Sequence, residues 1–318
     1  MRNFKNKLNA KFLNKNLLKF IFVLFFVISF SYSTSYQQFR HFDIDNRNGL
    51  NDTRSYIQMS KGNYNIAPHH RYRFIVPSSV SFIKPAIEKI TSEPKEQDNL
   101  AFYIVNFTFI SIAAVFLFYL IEEIGLPSYF ALLGVTIFLG SRQTIIATAT
   151  PLVDSIAILA TIFVIYTTYA KKNKLLTFML PAVALTRDSS YPLLIIPLFS
   201  KKLRTIPYFI SLVISFFGVA FSRNIIDNLA SQSTNQEIET GIIGYLGVIY
   251  SHSQNMLDHF LRLFTFKGIH DITNGFAFFL LFALLGFIIN KRRNLFKISH
   301  EMHSLIPIAF LVSMYSGN

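Results

Sequence analysis

Long apolar runs separated by short polar segments dominate the hydropathy pattern of this chain. The first run covers 20–30, and the later ones cover 100–121, 129–140, 151–170, 175–185, 191–199, 206–221, 275–289 and 304–315. A helical membrane crossing needs about 20 apolar residues, so several of these runs predict short crossings. The pattern therefore predicts an all-α polytopic membrane protein with about nine membrane segments, which form a single membrane domain over 1–318.

The composition agrees with this class. Hydrophobic residues make up 52% of the chain and charged residues only 15%, which is too apolar for a soluble domain. The absence of cysteine excludes a disulfide framework, a thiolate metal site and a cysteine nucleophile.

The distribution of basic residues predicts the orientation of the chain. The first 19 residues are basic and contain no acid, as in a signal peptide or a signal anchor. The following S-Y-S-T-S is a poor cleavage site, which favours a retained first helix and a cytoplasmic N-terminus. Alternating crossings then place the basic groups at 171–174, 201–204 and 291–297 in the cytoplasm as well.

These cytoplasmic segments account for the whole net charge of +13. The excess is thus a topology signal, and no nucleic-acid partner is expected. The expected location is a bacterial-type inner membrane, with membrane lipids as neighbours.

Two long segments, 37–98 and 223–274, are predicted outside the cytoplasm. In the first extracytoplasmic loop, an apolar stripe of Val80, Ile83, Ile87 and Ile90 predicts an amphipathic helix in the membrane plane. The second segment contains MLDHFLRLF, another amphipathic stretch. A tenth crossing at 241–266 is the alternative, but it would place the basic residues 291–293 outside.

Candidate catalytic carboxylates lie early in the first loop. Asp52 follows Asn51, which can cap a helix beginning at Asp52 and carrying Tyr56 on its next turn. Asp43 and Asp45 are further candidates. The alternatives are that Asp52 only complements the helix dipole, worth about 0.3–1 kcal/mol, and that Asp43 and Asp45 are solvated loop residues.

Candidate anion-binding groups follow in HHRYRFIVP, which contains His70, Arg71 and Arg73. Guanidinium groups at a membrane surface suit phosphate oxygens, although contact with anionic lipid headgroups is an equal alternative. Charged residues inside apolar runs are also functional candidates; these are Arg142, Asp154, Arg187 and Asp188. Ion pairs that fix helix packing are the alternative for Asp154 and Arg187.

The run D-T-R-S-Y-I-Q-M at 52–59 resembles the D-E-x-R-Y-x-x-x-A-x-x-M stretch in the first periplasmic loop of aminoarabinose and protein-mannosyl transferase relatives, in the GT-C glycosyltransferase superfamily. RYRFIVP, ATPLVDSIAIL and AVALTRDSSYPLL are similar to later segments of those enzymes. The second acid of the family's D-E pair is Thr53 here, so the pair is incomplete unless Asp43 or Asp45 replaces it.

The resemblance implies transfer of a sugar from a polyprenyl-phosphate donor to a lipid or glycan acceptor at the outer face of the membrane. Asp52 is then the expected base, and the substrate and its phosphate are expected at Tyr56, His70, Arg71, Arg73, Arg142 and Arg187. No cofactor is required, although two acids with the donor phosphate could hold a divalent cation. The alternative function is non-catalytic, either a transporter or flippase-like carrier of an anionic lipid or an assembly subunit.

Overall fold

The computed structural model describes residues 2–45, 50–199 and 203–231, together with residue 265. Within these ranges the chain forms α-helices and one 3-10 helix, and no strand. The helices are α1 (Arg2–Arg40), α2 (Thr53–Ser60), α3 (Pro68–Arg71), α4 (Ile75–Ile87), α5 (Pro94–Glu123), α6 (Ser128–Gly140), α7 (Arg142–Ala149), α8 (Asp154–Tyr169), α9 (Asn173–Ala184), the 3-10 helix (Asp188–Phe199) and α10 (Ile206–Ser231).

Three of these helical stretches are long and apolar enough to cross a membrane: Asn16–Arg40 in α1, Pro94–Glu123 and Ile206–Ala230. The pair α6 and α7 passes the same test together, with a bend of 62° between them. The all-α membrane class is thus confirmed. The predicted segments at 275–289 and 304–315, and the amphipathic stretch and alternative crossing within 241–266, lie outside the described helices, so the count of nine remains a prediction.

Two helices extend beyond their predicted ends. Helix α1 continues past the apolar run 20–30 to Arg40, and in this extension Ser35 is buried with its hydroxyl 3.1 Å from the Tyr103 hydroxyl. The ring of Phe39 also stacks on Tyr103, with centroids 4.4 Å apart. Helix α10 continues to Ser231, so the beginning of the predicted segment 223–274 is helical.

The bend between α6 and α7 lies at Ser141. This residue has extended backbone angles, and its side chain accepts a hydrogen bond from the Thr144 backbone N–H at 3.3 Å, which caps α7. The predicted run 129–140 is therefore followed by a second short helix before the next crossing. The pair forms either one broken span or a re-entrant loop.

Helix α5 is the centre of the described part, since it packs against α1, α4, α6, α7 and α8. An ion pair joins Lys19 of α1 to Glu122 at the end of α5, and the Ser35–Tyr103 contact joins the opposite ends. The two helices therefore run antiparallel, in agreement with the predicted alternation of crossings. Lys19 and Glu122 both belong to segments predicted to be cytoplasmic.

The first loop packs on the other end of α5. Its core contains Tyr56, Met59, Val76, Val80 and Phe102, and it also includes Val153 from the entry to α8. Hydrophobic burial of this kind is worth about 1.5–3 kcal/mol for each large side chain. The loop is thus a packed cap on the helices, and it holds its polar residues in fixed positions.

The predicted amphipathic helix is present as α4, with a different end. Val80 and Ile87 are buried in the loop core, so this part of the apolar stripe faces protein. Ile90 lies beyond the end of α4 and is 72% exposed, so its inclusion in the helix was wrong. Lys84, off the stripe, pairs with the buried carboxylate of Asp98 at 2.5 Å, and Lys61 pairs with the same carboxylate at 2.7 Å.

Candidate functional site

Asp52 lies at the N-cap of α2. The helix begins at Thr53, so the prediction that Asn51 caps a helix starting at Asp52 was wrong by one residue. The Asp52 side chain makes no capping hydrogen bond, and it is 49% exposed. Its carboxylate is therefore open to solvent on one side.

A chain of contacts leads from this carboxylate to Arg73. Nε2 of His70 lies 3.7 Å from Oδ1 of Asp52, and Nδ1 of the same ring lies 3.2 Å from the Tyr56 hydroxyl. Arg73 Nη1 donates to that hydroxyl at 2.9 Å. Four predicted site residues, from positions 52–56 and 70–73, thus lie together.

One neutral tautomer of His70 is compatible with all of these contacts. Arg73 can only donate, so the Tyr56 oxygen accepts, and the Tyr56 proton is available to Nδ1 of His70. The Nε2 atom faces a carboxylate, which favours a proton on that nitrogen. A neutral His70 with its proton on Nε2 satisfies all of these contacts at once.

Tyr56 is the most enclosed member of the group, with 1% of its surface exposed. Burial raises the pKa of its hydroxyl above the usual value of 10.0, while the adjacent Arg73 opposes that rise. The charges of Asp154 and Asp52 raise the pKa further. Tyr56 is therefore a neutral hydrogen-bonding group at ordinary pH, and Asp154 lies near enough to act on it electrostatically.

Asp154 is the first residue of α8, and Nη1 of Arg187 binds its carboxylate. An ion pair that fixes helix packing was the alternative interpretation of these two residues, and the structure contains that ion pair. The pair also places Arg187 near the first loop. We call the set of Asp52, Tyr56, His70, Arg73, Asp154 and Arg187 the polar cluster.

Asn106 of α5 holds the turn before Asp154. Its side-chain amide is fully buried and donates to the carbonyls of Thr150 and Leu152 at 2.9 and 3.0 Å, while its oxygen accepts from the Ser155 hydroxyl at 2.5 Å. Unpaired backbone carbonyls in an apolar interior are costly. Asn106 pairs them and so fixes the start of α8.

Arg71 has a different environment from Arg73. It is 4% exposed, and its Nη1 donates to Asp227 Oδ1 at 2.9 Å while its Nη2 donates to the Ile66 carbonyl at 2.9 Å. The Tyr72 hydroxyl lies 3.0 Å from both oxygens of Asp227. Arg71 therefore ties the first loop to α10, and it is less available to a phosphate than Arg73.

Three predicted residues lie apart from these contacts. Asp43 accepts a hydrogen bond from the Asp45 backbone N–H at 2.9 Å, and Asp45 forms an exposed ion pair with Lys95. Arg142 is exposed at the start of α7. Among the described contacts, none joins these three residues to the polar cluster.

Neither a metal-binding group within the described ranges nor a match to a known protein assigns a function to the polar cluster. The described ranges contain no group of three or more histidine or acidic side chains placed to hold a metal ion. Comparisons with family models, curated proteins and solved structures found no match.

Sequence reasoning assigned no role to four residues near the site. Tyr72 lies inside the basic motif, but no sequence motif or spacing marks this tyrosine as a candidate. Asn106 is the only side-chain amide in the apolar run 100–121, and this was the one available signal for it. Arg223 and Asp227 are spaced as an i, i+4 pair, which indicates a shared helix face, but the crossing was predicted to end before them.

Proposed function

We propose that this protein is a membrane glycosyltransferase of the GT-C type, which transfers a sugar from a polyprenyl-phosphate donor at the outer face of the membrane. The observation that carries the proposal is the contact chain from Asp52 through His70 and Tyr56 to Arg73, with Arg187 nearby. A half-exposed carboxylate at one end and guanidinium groups at the other match the needs of this reaction.

In the proposed reaction, the acceptor hydroxyl oxygen attacks the anomeric carbon of the donor sugar. The bond between that carbon and the phosphate oxygen breaks, and polyprenyl phosphate leaves with the bonding electron pair. Asp52 takes the proton of the attacking hydroxyl as general base. Arg73 and Arg187 stabilise the negative charge on the departing phosphate.

His70 and Tyr56 are positioning residues in this scheme. The His70 ring holds a proton toward Asp52, and Tyr56 fixes both that ring and Arg73. Asp154 orients Arg187 in the same way. The loop core under Tyr56 keeps these groups in place, as catalytic geometry requires.

The test is a transfer assay with full-length protein in polyprenyl-phosphate-sugar vesicles. Asp52→Asn is expected to lower the rate about a hundredfold or more, the range for loss of a general base. Glu88→Gln removes the charge of an exposed side chain in the same loop and is the matched control. This variant is expected to transfer sugar at the normal rate.

Full activity of the Asp52→Asn variant, with normal protein level, would rule out Asp52 as the base. Loss of activity in Asp45→Asn instead would move that role to Asp45. If the wild-type protein transfers no sugar from any polyprenyl-phosphate donor, the proposed function is wrong.

A further inference from the structure

An apolar groove runs along the side of α5 that lies between α1 and α8. Helix α1 contributes Phe20, Leu24 and Ile28 to its lining, α5 contributes residues between Phe107 and Tyr119, and α8 contributes Tyr166. No charged side chain and no residue of the polar cluster belongs to this lining. One end of the groove lies at Tyr119, close to the end of α5 that is opposite the first loop.

The dimensions of the groove match one hydrocarbon chain. Its volume is about 490 Å³, and the helical rise from Phe107 to Tyr119 is about 18 Å. The mean cross-section is therefore roughly 27 Å², whereas a helix 10–12 Å wide needs about 80–110 Å². Because carbon atoms in contact lie about 3.5–4.0 Å apart, a single extended chain fits in the groove and a helix does not.

The length of the groove matches one leaflet of a bilayer. The hydrocarbon core of a membrane is about 30 Å thick, so one leaflet provides about 15 Å. Just beyond the end of the groove, Lys19 of α1 and Glu122 of α5 form an ion pair at 2.5 Å. Charged groups are costly in the middle of a bilayer, so this pair marks the membrane surface. A chain that enters beside the pair therefore lies in the groove over the depth of its own leaflet.

The end of the groove at this surface carries both signs of charge. The Lys19 side chain is 39% exposed, and its ammonium has three donors, so the contact with Glu122 leaves donors for a second acceptor. Glu123 is exposed and lies near enough to the Tyr166 hydroxyl to interact with it electrostatically. The hydroxyls of Tyr119 and Tyr166 interact in the same way. A cation, a carboxylate and two phenols thus surround the mouth of the groove.

These charges select the kind of lipid. A wholly basic surface suits an anionic lipid, but Glu122 and Glu123 are the local exception among the predicted cytoplasmic segments. A headgroup that contains both a phosphate and a primary ammonium complements the two signs. Its phosphate oxygens accept hydrogen bonds from Lys19, and its ammonium donates to Glu123.

We infer that this groove binds one acyl chain of a zwitterionic aminophospholipid, whose phosphate contacts Lys19 and whose ammonium contacts Glu123. The site goes beyond the proposed function, because it uses no residue of the polar cluster and lies toward the opposite leaflet. The bound lipid fills the space between α1 and α8, both of which pack on α5.

The experiment measures lipid binding to delipidated, full-length protein in detergent by native mass spectrometry. The probes are three phospholipids with ethanolamine, choline or glycerol headgroups and identical chains of about 16 carbons, the length that spans the groove. Choline keeps the charges of ethanolamine but has no N–H donor, and the glycerol headgroup has no cation. We expect the ethanolamine lipid to bind roughly tenfold more tightly than either, because only its headgroup donates charge-assisted hydrogen bonds to Glu123.

Two substitutions test the two parts of the site. Ile112 lines the groove and is 41% exposed, so the ring of Ile112→Trp is expected to occupy the space of the chain and lower lipid affinity at least about tenfold. Ile104→Trp is the matched control, because Ile104 lies on the same helix, is 38% exposed and is not part of the lining. Glu123→Gln is expected to remove the preference for ethanolamine over choline.

Wild-type affinity in Ile112→Trp, or an equal loss in Ile104→Trp, overturns the inference. So does equal binding of the three lipids to wild type, or a preference for ethanolamine that survives Glu123→Gln. If the protein instead dimerises without bound lipid, and Ile112→Trp alone prevents dimerisation, the groove is a protein interface and the inference is wrong. None of these measurements uses sugar transfer, so failure of the proposed function leaves their outcomes unchanged.

Discussion

The Tyr56 hydroxyl accepts a 2.9 Å hydrogen bond from Nη1 of Arg73 although Tyr56 is almost fully buried. The same oxygen lies 3.2 Å from Nδ1 of His70. One phenol therefore couples the cation of the cluster to the imidazole that faces Asp52. It does so from within the apolar core of the loop.

Removal of that hydroxyl is expected to impair function more than stability. Tyr56→Phe keeps the ring in the loop core and loses the contacts of its oxygen, so the free energy of unfolding is expected to fall by about 0.5–1.5 kcal/mol. We expect the transfer rate to fall at least about tenfold, because Arg73 and His70 lose their common partner. Tyr64→Phe, a half-buried tyrosine on the same core, is the control, and equal rates in both variants would contradict the prediction.

The buried ion pair of Arg71 and Asp227 is expected to be sensitive to loss of one partner. Both residues are about 4% exposed, and removing one member of such a pair typically costs about 3–5 kcal/mol. Asp227→Asn should therefore lower the thermal midpoint of the detergent-solubilised protein, followed by circular dichroism.

The double variant Arg71→Met, Asp227→Leu should recover part of that loss, because it leaves no unpaired buried charge. Asp45→Asn, in the exposed pair with Lys95, should change the midpoint little. A small effect of Asp227→Asn would show that water reaches Arg71.

Tyr72 is expected to make the protein sensitive to alkaline conditions. Burial, and then the adjacent Asp227 carboxylate, raise the pKa of Tyr72 from 10.0 to about 12. The folded state thus favours the neutral phenol, whose contribution to stability is complete below pH 10 and is lost as the pH rises through 12. Between these values, wild type should lose more stability than Tyr72→Phe, as measured by unfolding at stepped pH; parallel losses would contradict the prediction.

The orientation of the chain can be tested by labelling, since the chain lacks cysteine. Asn63 is exposed between α2 and α3, and Lys172 is exposed between α8 and α9. We expect Asn63→Cys to react with an impermeant maleimide in intact cells, and Lys172→Cys to react only after permeabilisation. The reverse result would invert the predicted topology.

Ser189→Cys, labelled in the same way, separates the transferase from the alternative carrier. Reaction only from outside agrees with the transferase. Reaction from the cytoplasm would favour a carrier whose path opens to both faces.

Hydropathy and composition predicted the class of the fold, and the residue types of the first loop indicated where the candidate site lies. Asp52, Tyr56, His70 and Arg73 lie within one short stretch, so the loop that contains them could be recognised without knowledge of the packing. Arg187 was predicted as a candidate because a charge inside an apolar run is costly.

The partners of these residues could not be predicted, because they depend on packing between distant segments. Arg71 and Arg73 are two residues apart, and no sequence pattern distinguishes their roles, but only Arg71 lies against Asp227. The difference arises from the last turns of α10, which extend past the predicted end of the crossing at residue 221. The 62° bend at Ser141 likewise depends on a local cap that hydropathy does not record.

The pairing of Arg71 with Asp227 also has a consequence for biosynthesis. The two residues are separated by 156 positions, which a ribosome adds in about 8–30 s. During that interval the loop emerges before its α10 partner exists, and Arg71 must keep its charge in contact with water or lipid headgroups. The first loop therefore reaches its final packing only when α10 has been inserted, so the candidate active site is completed late in assembly.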